Sequence, residues 1–160
     1  MLDGSSDLVT GNSRPYPPIT NKAAEISYSL AYRSLDADAR CVLVAALPKL
    51  AANNIGEKST GISDAITVSA SEFGAMWKLN EPAQAFARLI RGCEVLKKST
   101  VRFRWYPEPG VQCIHDSSWL VSSYCLENSA EIGLSFVPLS TGSLRRLLQE
   151  IRTDEELAFV

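Results

Sequence analysis

The sequence predicts an α+β fold, a winged helix with an additional long N-terminal helix and a C-terminal helix. A capping motif at residue 69 opens a short helix, which a tight turn joins to a longer amphipathic helix over residues 81–98. Apolar and charged residues then alternate over residues 101–105, and strand patterns over residues 119–126 and 131–137 predict a hairpin. A helix-turn-helix followed by a hairpin is the order of a winged helix, with this hairpin as the wing.

The chain has the size and composition of one ordinary domain. Of its 160 residues 46% are hydrophobic, enough to bury a core without disulfides or metals. No secretory signal begins the sequence, and no run approaches the roughly eighteen apolar residues of a membrane span. We therefore expect a soluble cytoplasmic protein with a flexible N-terminal arm over residues 1–20 and a single winged-helix domain over residues 21–160.

Motifs for catalysis and for metal binding are weak. The four cysteines have no CxxC spacing, so we interpret them as reduced and mostly buried thiols and expect no metal. His115 precedes Asp116, but no nucleophile motif accompanies them, and adjacent side chains on an extended segment point to opposite faces. No phosphate-binding or dinucleotide-binding loop occurs. We expect neither an enzymatic activity nor a cofactor.

The first part of the domain predicts two helices. A short helix is expected over residues 21–30, and Ser34 is expected to cap a longer one that ends near residue 53. Pro48 lies deep in the second helix, so that helix should kink or have an irregular last turn. Its leucines recur on one face, which predicts an amphipathic helix. These are Leu43, Leu47 and Leu50.

The helix-turn-helix begins with a clear start signal. Ser69 and Glu72 have the spacing of a capping box, so a helix begins at Ala70. Asn80 is expected to cap the following helix, and Pro82 lies in its first turn, where a missing N–H costs nothing. The inward face of the first helix is predicted to contain Phe73, Met76 and Trp77.

The helix over residues 81–98 has two opposite arcs, one apolar and one polar. Gly92 in its interior predicts either close packing or a local bend. The apolar arc contains Phe86, Leu89, Ile90, Cys93 and Leu96, and the polar arc contains Gln84, Arg88, Arg91 and Lys98.

Positive charge concentrates on this region although the net charge of the chain is −2. Residues 69–106 carry seven basic and three acidic side chains, whereas from residue 150 onward there are one basic and four acidic. Gln84 and Arg88 suit base reading, because amide and guanidinium groups form paired hydrogen bonds with adenine and guanine. A charged face is equally normal for a surface helix that binds nothing. The cations expected at DNA phosphates are Arg91, Lys97, Lys98, Arg102 and Arg104.

Four segments in order resemble the N-terminal domain of plasmid replication initiators that bind iteron repeats. They are YSL before the long helix, ITVSASEF at the helix-turn-helix, LKKSTVRF after it, and FVPLS at the end of the hairpin. The resemblance covers about residues 21–159. It implies a DNA-binding and dimerisation domain that recognises repeats in double-stranded DNA at the replication origin. It also implies the absence of enzymatic activity, and host replication proteins as further partners.

Members of that family are similar in having two winged helices in tandem, the first of which also mediates dimerisation. This sequence ends at Val160, which the resemblance explains either by an excised N-terminal domain or by a natural short form. The helix segment CVLVAAL and three hairpin residues, Trp119, Val121 and Tyr124, are then candidates for a homodimer interface, unless they only form the core. The alternative function is a stand-alone homodimerisation or protein-interaction module, similar to a repressor, with weak or no DNA binding.

Overall fold

The computed structural model describes residues 19–53, 65–126 and 128–153. The arm predicted for residues 1–20 therefore lies outside the described residues except at its end, and so does the acidic segment after residue 153. None of the described helices is long and apolar enough to cross a membrane. The elements are α1 (Asn21–Arg33), α2 (Ala37–Asn53), β1 (Ala65–Ser69), α3 (Ala70–Trp77), α4 (Pro82–Lys98), β2 (Thr100–Glu108), β3 (Val111–Ser118), β4 (Leu120–Leu126), β5 (Glu131–Phe136) and α5 (Thr141–Thr153).

The fold is an α+β winged helix, as the sequence predicted. Strands β1, β5 and β4 form an antiparallel sheet in that order, with β5 in the centre. The turn that joins β4 to β5 is the wing. The backbone N–H of Ala70, the first residue of α3, donates to the carbonyl of Ala130 in this turn at 2.8 Å. The wing is thus fixed directly to the start of the helix-turn-helix.

A second hairpin, β2 with β3, lies between α4 and the wing in the sequence, and β3 was not predicted. The alternation predicted a strand that ends at Trp105, but β2 continues to Glu108 because a register shift after Trp105 accommodates Pro107. The chain then turns at Gly110, whose φ of 78° suits glycine. Most side chains of β3 are exposed, so the strand has no apolar alternation for sequence reasoning to detect.

Helix α2 is the centre of the core and is not the amphipathic helix that its leucines suggested. Every residue from Cys41 to Leu47 is buried, and a helix that is apolar on all sides packs inside a domain. The segment CVLVAAL therefore forms core, and its candidacy as a dimer interface is wrong for this chain. Pro48 is exposed on α2, which continues as helix to Asn53.

Two predicted helix caps are wrong. Ser34 closes α1 instead of opening α2, and both its N–H and its hydroxyl donate to the carbonyl of Leu30. The cap of α2 is Asp36, whose Oδ1 accepts from the N–H of Ala39 at 3.0 Å. Helix α4 begins after Glu81, not after Asn80, because proline at the first helical position needs no capping partner for its nitrogen.

The capping box at the start of α3 is confirmed. Ser69 Oγ accepts from the N–H of Glu72, and the Glu72 carboxylate accepts from the N–H of Ser69. Lys49 on α2 donates to the same carboxylate at 2.7 Å. Desolvation raises the pKa of Glu72, but the hydrogen bonds from Lys49 and Ser69 outweigh it and leave this pKa below its usual value. Met76, predicted to point inward, is exposed.

A carboxylate joins the first and last helices. Glu150 on α5 accepts from the hydroxyl of Ser29 at 2.6 Å and from Nη2 of Arg33 at 2.8 Å, both on α1. The hydrogen bond from Arg33 lowers the pKa of Glu150, and it outweighs the opposing effect of burial. The ion pair therefore stays intact at neutral pH, and α5 is held along α1.

Gly92 marks the closest approach of α4 to α2. A Cβ atom at this position would lie 2.5 Å from Cγ2 of Val42 and 2.6 Å from the backbone oxygen of Asp38. Of the two explanations that the sequence left open, close packing is confirmed. Because the second obstacle is backbone, α4 cannot relax around a larger side chain without moving as a whole.

We predict that Gly92→Ala destabilises the fold although alanine favours helix by about 1 kcal/mol. The overpacking should exceed this gain and give a net loss of about 1–3 kcal/mol in the free energy of unfolding. The measurement is urea unfolding followed by circular dichroism. Ala87→Gly, on the exposed side of the same helix, is the matched control and should cost only about 1 kcal/mol. A variant at position 92 more stable than the parent contradicts the close contact.

Candidate nucleic-acid interface

The two helices of the helix-turn-helix are held at a fixed angle by their turn. Lys78 ends α3 in the left-handed conformation with a φ of 58°, and the N–H of Leu79 donates to the carbonyl of Gly74 at 2.8 Å. A Cβ atom on Gly74 would lie 3.2 Å from that of Ala85, so small residues bring α3 against α4. Lys78 itself is exposed in the turn, and sequence reasoning did not include it in the site.

The outer side of α4 presents most of the predicted polar arc to solvent. Gln84, Arg91 and Lys98 are exposed on it, separated by seven residues each, which places them on one stripe of the helix. Glu94 lies within the same stripe and binds Lys97 at 3.1 Å. The stripe therefore carries an amide and two cations, and Lys97 beside it is a third cation whose charge Glu94 partly offsets.

Arg88 and Arg91 share a carboxylate that the sequence did not assign to the site. Both Nη1 atoms lie 3.4 Å from an oxygen of Asp38 in the first turn of α2. The side chain of Asp38 is only 8% exposed, against 29% for Arg88 and 70% for Arg91. Arg88 thus leans toward α2 rather than outward, whereas Arg91 keeps most of its guanidinium in solvent.

Arg102 and Arg104 project from the outer face of β2, as the alternation predicted. Asp116, opposite Arg102 on β3, accepts from its Nε at 2.7 Å and from its Nη2 at 2.8 Å. This hydrogen-bonded pair lowers the pKa of Asp116 and raises that of Arg102. Two N–H groups of Arg102 are therefore used within the protein. The guanidinium of Arg104 is the more available of the two for a ligand.

Among the described residues, the histidine and the cysteines do not come together in one site. The ring of His115 lies 5.9 Å from that of Phe103, while the neighbouring Asp116 bonds to Arg102. Cys41 and Cys93 are buried, and burial raises the pKa of Cys93 to about 12, so this thiol stays protonated. Within the described ranges, no three His, Cys, Asp or Glu side chains gather as a metal would need.

The wing presents only short polar groups in its described part. Asn128 and Ser129 are exposed at its tip, and Ala130 follows with a φ of 51°. Because the carbonyl of Ala130 accepts a hydrogen bond from the N–H of Ala70, this tip lies beside the start of the helix-turn-helix.

The three candidates for a dimer interface do not share one environment. Trp119 is fully buried, with its ring 5.4 Å from that of Tyr28, so it forms core and its candidacy is wrong. Val121 and Tyr124 are exposed on β4, an edge strand. The ring of Tyr124 covers Gly133 on β5, where an added Cβ would overlap it, a common way to support a glycine within a sheet.

Known structures share this fold. The chain matches the WH1 domain of MSBI1.176, a replication protein isolated from a multiple sclerosis patient, with a TM-score of 0.60 and 19% identity over 79% of this chain and 93% of that one. It also matches the Pi initiator protein in complex with iteron DNA, with a TM-score of 0.50 and 17% identity over 71% of this chain and 44% of that one. No protein-family model matches, and the curated proteins give no match either.

The likeness to these two structures establishes the winged-helix fold for this chain. The match with the WH1 domain extends over nearly all of that domain, whereas the chain spans 44% of the length of the Pi initiator.

We predict that Arg88 has a structural role toward Asp38 and that Arg91 does not. Double-mutant cycles with Asp38→Asn, combined with Arg88→Gln or with Arg91→Gln, measure both couplings by chemical unfolding. The coupling should be about 1–2 kcal/mol for Arg88, because its own side chain is mostly covered, and below about 0.5 kcal/mol for Arg91, whose side chain is mostly in solvent. The reverse order would mean that Arg91 is the side chain held against α2.

Proposed function

We propose that this chain binds double-stranded DNA at the repeats of a replication origin, as a winged-helix domain of a plasmid replication initiator. The observation that carries the proposal is the exposed cationic stripe on α4, the second helix of a helix-turn-helix whose wing is fixed beside its first helix. In this motif the second helix enters the major groove. The likeness to two replication proteins, one of them in complex with iteron DNA, supports the same function.

The residues of α4 divide into two roles in this proposal. Gln84 near the start of the helix faces the bases, where an amide pairs with adenine. The cations further along bind phosphates as the helix leaves the groove. These phosphate contacts are Arg91, Lys97 and Lys98, and exposed Lys78 in the turn is a further one.

Arg88, Arg102 and Arg104 require a revised assignment. We infer that Arg88 orients α4 through Asp38 rather than reading guanine, because most of its side chain is covered. Arg102 is bound by Asp116, and both strand arginines line a groove beside α1. We therefore assign these two arginines to a second surface.

The DNA-binding proposal predicts a specific pair of damaging substitutions. Arg91→Gln with Lys98→Gln should lower the affinity for duplex DNA roughly tenfold at low salt, because two phosphate contacts disappear. The slope of log affinity against log salt should fall by about two, from a parental value that corresponds to roughly three to five phosphates. Fluorescence anisotropy of a labelled duplex between about 50 and 200 mM salt measures both quantities.

The matched control for that pair is Arg145→Gln with Arg152→Gln. Both arginines are exposed on α5, and the control changes the net charge by the same amount. We expect its affinity and salt slope to stay near those of the parent. An equal loss of DNA affinity in both pairs would mean that only net charge matters. An unchanged affinity in the α4 pair would contradict the assignment of α4 as the DNA-binding element.

A second function, self-association, is favoured by the outer face of the three-stranded sheet. Three large apolar side chains are exposed on β4, one of the two edge strands of this sheet: Val121, Tyr124 and Leu126. The register shift after Leu120 turns Val121 outward, with 68% of the residue exposed. An exposed apolar edge strand is a usual surface for pairing with a second chain, so we propose a homodimer through β4.

The dimer proposal predicts a concentration-dependent mass. Light scattering should show the parental protein rising from 17.5 kDa toward twice that value as its concentration increases. Val121→Glu should remain at the monomer mass, since a carboxylate in an apolar interface loses its hydration. Ile114→Glu, at another exposed apolar position, is the control and should behave as the parent. A parental protein that stays monomeric at high micromolar concentration contradicts this function.

A further inference from the structure

An open groove of about 510 Å³ runs between α1 and the start of β2. Its α1 side has small residues at successive turns, Ala23, Ser27 and Ala31, and their short side chains leave the space that larger ones would fill. Ser99 and Thr100 lie on the opposite side, where α4 passes into β2. The groove is a feature of the described residues that DNA binding by α4 does not use.

One rim of the groove is apolar and exposed. Ile26 is 41% exposed and Leu30 is 55% exposed, and both line the groove. They lie one turn apart on α1, so they form a continuous apolar ridge beside the concave surface. Single exposed apolar residues are ordinary, whereas these two are adjacent and offer a continuous apolar surface along a groove against which a partner can pack.

The other rim is basic. Arg102 and Arg104 line the groove from β2, and no carboxylate is among its lining residues. Asp116 fixes the orientation of Arg102 by two hydrogen bonds while the remaining N–H groups of this guanidinium stay unused by that pair. Arg104 adds a second guanidinium on the same face of β2. The groove therefore complements a ligand that is anionic on one side and apolar on the other.

We propose that this groove binds an acidic, amphipathic segment of a partner protein. Carboxylates of the segment would pair with Arg102 and Arg104, since guanidinium groups bind carboxylates through paired, charge-assisted hydrogen bonds. Its apolar side chains would cover Ile26 and Leu30, as in helix-in-groove recognition. Nucleic acid fits less well, because its backbone carries a phosphate at every nucleotide and offers few apolar groups to place against Leu30. The proposal does not depend on DNA binding by α4.

The test uses a labelled amphipathic peptide built from Glu, Leu and Ala, titrated with the full chain and followed by fluorescence anisotropy. We expect the parental protein to bind this peptide, and an otherwise identical peptide with Gln in place of Glu to bind at least about fivefold more weakly. Leu30→Gln and Arg104→Gln should each reduce the affinity by about fivefold or more. Both residues are exposed, and thermal unfolding checks that the variants stay folded.

The control is the α4 pair Arg91→Gln with Lys98→Gln, which should leave the peptide affinity unchanged. Absence of binding at peptide concentrations up to about 1 mM overturns the proposal, as does equal binding of the Gln peptide. Loss of peptide binding in the α4 pair but not in Leu30→Gln would place the peptide on α4 and would also overturn it. Loss of duplex DNA binding, rather than peptide binding, in Arg104→Gln would make the groove a nucleic-acid surface instead.

Discussion

The close contact between α2 and α4 is the constraint on which the rest of this structure depends. Gly92 lets α4 approach the backbone of α2 at Asp38, and no side chain larger than hydrogen fits between them. Because every residue of α2 from Cys41 to Leu47 is buried, the helix cannot shift easily to accommodate a change in α4. The same contact brings the Asp38 carboxylate to Arg88 and Arg91. Packing and electrostatics at one point thus decide which face of the second helix is exposed.

Ion pairs with carboxylates of the same chain determine which of its cations remain available to a ligand. Asp38 holds Arg88, Glu94 partly offsets Lys97, and Asp116 holds Arg102, whereas Arg91 remains mostly in solvent. Around α4, the four cations of the helix face three carboxylates, those of Asp38, Glu94 and the exposed N-cap residue Glu81, so much of its positive charge is offset. A moderate charge of this kind favours binding that depends on shape and spacing as well as on attraction to phosphate. The arginines on β2 belong to a separate groove, which extends the surface available to partners.

The sequence was sufficient for the elements that local signals define and insufficient for those that tertiary contacts define. The capping box at Ser69, the apolar arc and most of the polar arc of the second helix, and the hairpin of the wing followed from spacing within a few residues, and the structure confirms them. The role of Asp38 could not be predicted from the sequence, because its arginine partners lie about fifty residues away along the chain. Strand β3 has no apolar alternation, and the leucine stripe of α2 concealed a helix that is apolar all round. The sequence left open whether Trp119 forms an interface or core, since nothing in it places Tyr28 against Trp119.

The most direct test of the central claim is an NMR titration of the isotope-labelled chain with duplex DNA, which reports each backbone amide and the arginine side chains. We predict that the largest chemical-shift changes occur along the outer side of α4, including the Arg91 guanidinium, and at Asn128 and Ser129 in the wing. The signals of α5 should stay in place. Changes confined to β4 or α5, or no changes at low salt, would contradict the claim that the second helix and the wing form the DNA-binding surface.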